Sequence, residues 1–158
     1  MSMLEDRLIT VAWDLCQRTG KRPREAFMRR AVSSAYYAVF HALCRLCADT
    51  IIGGIHHKTQ AWGRVYRGVS HTGAKAVLTN SKELAAFPAE VADFGVAFVL
   101  LQKEREQADY NPTQFEKYFA DTESLVGQAA NAIATLNKLD DAHRRGLAAA
   151  LLVKARTP

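Results

Sequence analysis

The sequence predicts an all-α protein. Apolar residues recur at spacings of three and four along most of the chain, alternating strand patterns are nearly absent, and helix start and stop residues punctuate the periodic segments. With 158 residues, 49% of them hydrophobic and 23% charged, the chain has the size and composition of one globular domain. The expected layout is a single domain over residues 1–154 and a flexible tail over 155–158.

The first helix is predicted from Leu4, Leu8, Val11 and Leu15, with Gly20 ending it. Pro23 suits the first turn of a second, long helix running to about residue 48. It carries two stripes. One is Phe27, Ala31, Ser34 or Ala35, Ala38, His41 or Ala42, and Arg45; the other is Val32, Tyr36, Phe40, Leu43 and Cys47. Little of that helix is polar after Arg30, which predicts a central position in a bundle. Residues 49–88 read as an irregular insert, with five glycines and short helical pieces near 62–67 and 74–78. A connection of that length inside a compact domain is usually functional or mobile. A third long helix starts near Ala89 and stops at the Asn111-Pro112 turn, because the residue before proline avoids helical geometry. Thr113 and Glu116 form a capping box for a fourth, whose buried face is expected at Phe115, Phe119, Thr122, Val126, Ala129, Ile133 and Leu136. Asp140 or Asp141 caps a last helix reaching Val153.

No stretch approaches the roughly 20 apolar residues of a membrane span. The N-terminal residues include Glu5 and Asp6, unlike a signal peptide. Three cysteines do not make a secreted disulfide framework. A cytoplasmic protein without membrane contact is expected. The net charge of +5 is unevenly spread: residues 18–82 hold twelve Lys/Arg and two acids, whereas residues 83–141 hold four Lys/Arg and eleven acids. A basic half fits a polyanionic partner, and it equally fits self-association with the acidic half or merely solvated faces.

Cys44 and Cys47 have redox-motif spacing but sit near a helix C-terminus. The dipole that lowers a thiol pKa acts at the other end, so buried apolar roles are expected. No Gly-rich phosphate loop, Ser-His-Asp order or His-Glu-x-x-His pattern occurs, and no cofactor or metal is expected.

Two segments carry a resemblance. RRAVSSAYYAVFHAL, residues 29–43, resembles the second helix of HEPN domains. REQADYNP, residues 105–112, resembles the Arg-x-x-Ala-Asp-Tyr pattern that ends the next long helix in many of them. Together they cover about a seventh of the chain. The resemblance implies an up-and-down helical bundle, with the irregular insert between the second and third long helices, that forms homodimers. It implies RNA, a nucleotide or a protein as ligand, in a toxin–antitoxin or defence setting with a nucleotidyltransferase-type antitoxin as one partner. Ribonuclease members of the family place a histidine after the arginine with four to six residues between them. The corresponding positions here are Tyr110, Asn111 and Pro112. An atypical binding module is therefore expected, and a metal-independent ribonuclease with a non-standard constellation is the alternative.

The residues carrying that expectation are Arg105, Asp109 and Tyr110 as the catalytic candidates, with Tyr37, His41 and Arg105 for binding. Arg105 and Asp109 are four apart on one helical face. They read either as an ion pair fixing the helix end or as a phosphate-contacting arginine held by a carboxylate. Ser33, Tyr37 and His41 follow at four-residue steps on an otherwise apolar helix. They read as a satisfied interior or dimer-interface stripe, or as one wall of a pocket shared with Arg105. Arg64 and His71 match the ribonuclease spacing, but they fall in the insert, where the match is expected by chance.

Overall fold

In the computed structural model, all regular structure among the described residues, 2–18, 24–113, 115 and 119–154, is helical. The α-helices are α1 (Leu4–Cys16), α2 (Arg24–Ile51), α3 (Gln60–Tyr66), α4 (His71–Leu78), α5 (Ser81–Leu84), α6 (Ala89–Tyr110), α7 (Phe119–Asn137) and α8 (Asp141–Leu152), and a 3-10 turn spans Gly54–His56. No described helix is long and apolar enough to cross a membrane. Gly20, Pro23, Glu116, the Phe119 side chain and residues 155–158 lie outside what is described, so the expectations placed on them stand untouched.

The chain divides into two compact units, Met1–His41 with Ala97–Ala134, and Ala42–Val96 with Thr135–Pro158. In the first unit the α2 residues Ala31, Val32, Ala35, Tyr36 and Ala38 are fully buried, as the double stripe predicts, and so is Val39, which lies in neither stripe. Phe98 and Leu101 of α6 and Thr122, Val126 and Ala129 of α7 are buried as well. The face of α1 differs from expectation. Glu5, Ala12 and Cys16 are buried, while Leu4 and Val11 are 39% and 45% exposed.

The second unit holds the supposed insert, and most of it is helical. Thr59, Ser70 and Asn80 cap α3, α4 and α5 with side-chain oxygens that accept backbone N–H bonds. Each cap satisfies donors that a free helix end would leave open. Val69, Ala74 and Leu78 are buried, giving this stretch a core of its own. Gly53, at φ 101, makes the left-handed turn that closes α2. Gly95 of α6 lies so close to α4 that an added Cβ would stand 2.7 Å from the Leu78 carbonyl oxygen. Asp140 caps α8, its carboxylate accepting from the His143 N–H at 2.9 Å, as the sequence predicts.

Candidate functional site

The first unit concentrates polar chemistry around one side chain. Arg105, on the last turns of α6, is only 9% exposed. Its guanidinium carbon lies 5.0 Å from the centre of the Tyr36 ring, 5.7 Å from Tyr110 and 5.9 Å from Tyr37. Rings at these distances attract a cation through their quadrupoles. Two of them come from adjacent positions on α2, and the third ends α6. Arg105 Nη1 donates to the Tyr110 hydroxyl at 3.4 Å, a long bond. Its Nε is buried with no hydrogen-bond partner, and so is Oε1 of Gln102, three residues earlier on the same helix. Arg105, Glu106, Gln107, Tyr110, Asn111 and Pro112 border a shallow open cleft of about 500 Å³.

Asp109 does not neutralise this cation. No Arg105–Asp109 ion pair forms; Asp109 Oδ2 instead accepts from the Ser33 hydroxyl at 3.1 Å. A spacing of four makes a pair possible, but the Tyr36 and Tyr37 rings draw the guanidinium while buried Ser33 offers the carboxylate a donor.

Burial pushes the Tyr36 hydroxyl up to about 12, against the opposing effect of Arg105 and Gln102 beside it. Tyr36 is therefore a neutral phenol at physiological pH. His41 lies one turn beyond Tyr37, their rings 6.5 Å apart. Burial lowers its pKa below the usual 6.5, and the charge of Glu5 works in the opposite direction. A neutral imidazole can accept a proton. The structure thus gathers Arg105, Tyr37 and Tyr110, sets His41 against Tyr37, and turns Asp109 toward Ser33.

Sequence reasoning missed four residues. Tyr36 counted as core, although it forms the nearest wall of the arginine site. Gln102 could have been found from its three-residue spacing to Arg105. Glu5, a buried carboxylate, had no signal, because acids in a first helical turn are usually solvated. Arg29 belonged to a quoted motif without a role. In the structure Arg29 Nη1 donates to the carbonyls of Ala108 at 2.8 Å and Asn111 at 2.9 Å, and Nη2 to Thr113 at 2.6 Å. It also bonds Glu25 at 2.9 Å, and that carboxylate accepts from the Phe115 N–H at 3.0 Å. Arg29 thereby ties down the chain leaving α6.

The remaining candidates are in the second unit. Cys44 and Cys47 are buried, and burial pushes both thiols up to about 12, in line with an apolar role. Arg64 lies within α3 and His71 opens α4. Among the described residues no three His, Cys, Asp or Glu side chains could together hold a metal ion.

Comparison with protein-family models, curated proteins and solved structures gave no match. The HEPN resemblance rests on the residues quoted for it.

Proposed function

We propose that this chain is an atypical HEPN-like module that binds a phosphate-bearing ligand, RNA or a nucleotide, through Arg105. One observation carries the reading: a nearly buried guanidinium, bordering an open cleft, has three tyrosine rings around it and no carboxylate partner among the described residues. A buried cation without an anion is costly, by several kcal/mol in typical proteins. Such an arrangement is kept where an external anion completes it. Arginine suits phosphate because its planar fork donates two parallel bonds. The tyrosine faces are also of the type on which nucleobases stack.

Binding is favoured over cleavage. Ribonuclease chemistry needs a base on the 2′-hydroxyl and a cation on the same phosphate. His41 is held neutral, as a base requires, yet the ring that lies by the arginine is that of Tyr37, and His41 adjoins that ring at 6.5 Å. Homodimerisation, an antitoxin partner and a defence setting are carried over from the resemblance alone, a weak guide to function.

The test is titration of a labelled single-stranded RNA and of ATP into the wild type and Arg105→Lys. The lysine keeps the charge and removes the fork. About tenfold weaker binding of both ligands is expected, with the RNA left intact in EDTA. Equal affinity of the two proteins would overturn the reading. Cleavage in EDTA that vanishes in His41→Asn would establish the ribonuclease alternative.

A further inference from the structure

The other unit holds a feature that the Arg105 reading does not use. Between Asp49 and Glu83 the chain has no acidic residue, over 33 positions. At the chain's average of 16 acids in 158 residues, about three would fall there. The same stretch carries Lys58, Arg64, Arg67, Lys75 and Lys82, and all five are exposed. Among the described residues none of the five side chains makes an ion pair or a hydrogen bond. Two arginines of this unit, Arg45 and Arg144, behave differently. Arg45 is bonded to Asp49 and Asn137, and Arg144 donates to the carbonyls of Leu139 and Asn137.

The cations stand on an ordered scaffold. Three capped helices follow one another, and Trp62 stacks on Tyr66 with centroids 4.8 Å apart. Asp49, the acid at the edge of the stretch, is engaged elsewhere: it accepts from Trp62 Nε1 at 2.8 Å and pairs with Arg45 at 3.2 Å. No carboxylate of the stretch itself competes for an incoming anion. Ile51 and Ile55 are its exposed large apolar side chains among the described residues. An interfacial membrane helix would need a whole apolar face.

We infer that the surface of α3–α5, with the turn before it, is a sequence-independent contact for the phosphate backbone of RNA. A spread of unpaired cations lowers the free energy of a polyanion mainly by releasing its condensed counterions, so affinity falls steeply with salt. This inference concerns the second unit and does not depend on the Arg105 site.

The experiment measures the affinity of the full chain for a labelled single-stranded RNA of about 30 nucleotides across a range of salt concentrations. The wild type is compared with the triple variant Lys58→Gln, Arg64→Gln, Lys75→Gln. A double variant, Arg7→Gln with Lys103→Gln, removes two exposed cations elsewhere. With about 0.7 counterions released per single-strand phosphate contact, the triple variant should lower the log–log salt slope by about 2. Its affinity at low salt should fall tenfold or more, while the double variant keeps the wild-type slope. All substituted side chains are exposed, and a thermal melt checks folding. An unchanged slope in the folded triple variant overturns the inference, whatever Arg105→Lys does. So does an equal fall per charge in the double variant, or binding to anionic phosphatidylserine vesicles in the absence of any RNA binding.

Discussion

Arg29 and Arg105 lie in the same unit, both beside α6, and their surroundings are opposite. Arg29 is saturated: its guanidinium meets three backbone carbonyls within 2.9 Å and one carboxylate. Arg105 has a long hydrogen bond to Tyr110, the Tyr36 hydroxyl as a second neutral partner, three aromatic faces and an unpartnered Nε. A saturated cation holds structure in place and has little left to offer a ligand. An under-satisfied one costs stability and keeps its donors available. Two arginines quoted from the same family pattern thus divide into a saturated clamp and an under-satisfied cation.

The largest expected effect on stability tests the clamp. Arg29→Ala removes bonds to the Ala108, Asn111 and Thr113 carbonyls and frees Glu25. Bonds to charged groups contribute about 1.5–3 kcal/mol each and are not additive, so a loss of about 3 kcal/mol is expected. For a chain of this size that is a fall of about 6–12 °C in Tm, read by thermal melting. A fall below about 2 °C would erase the distinction between the two arginines.

Arg105→Met should do little to stability. The variant gives up cation–π contacts of about 0.5–1 kcal/mol each. It also removes a buried guanidinium that lacks a carboxylate, and the two effects oppose each other. Tm should stay within about 3 °C of the wild type or rise, while RNA and nucleotide binding is lost. A Tm drop as large as that of Arg29→Ala would make Arg105 a second clamp and remove the physical basis for a binding role.

The smallest effect is a pH dependence in the same unit. The folded pKa of His41 lies below its usual 6.5, so the unfolded chain binds the proton more readily. The stabilisation that follows is present above about pH 6.5 and is lost as pH falls through the folded value. Tm should therefore decline between pH 7.5 and 5.5, and His41→Gln should flatten that decline. Glu25, whose pKa is lowered by the Phe115 N–H and by Arg29, keeps its stabilisation through this range and loses it only as pH falls below its usual 4.5. An identical Tm–pH curve for His41→Gln would show that His41 does not titrate as its burial implies.

Most of the helices were legible in the sequence. Local signals act over one or two turns. The Asn111-Pro112 stop, the Asp140 cap and the double stripe of α2 can all be read without knowing what packs against them. The 49–88 stretch was legible in part. The short helices expected near 62–67 and 74–78 are α3 and α4, but α5 gave no signal, and the stretch is more regular than its glycines suggest because Thr59, Ser70 and Asn80 cap the helices and Val69, Ala74 and Leu78 are buried. Helices of this length are marginal alone, and their apolar faces are too small to register as periodicity.

What the sequence determined by itself is the helical class, the long helices and the residue types of the site: Arg105, Tyr37, Tyr110 and His41. Each follows from interactions among residues a few positions apart. Only the tertiary structure decided how those residues are used. It set Asp109 on Ser33, walled Arg105 with Tyr36, buried Glu5 on α1 and gave Arg29 its carbonyls. Those choices depend on which face of one helix meets which face of another. A rotation of about 100° exchanges neighbouring positions on a helix, and spacing along the chain does not encode which neighbour packing selects.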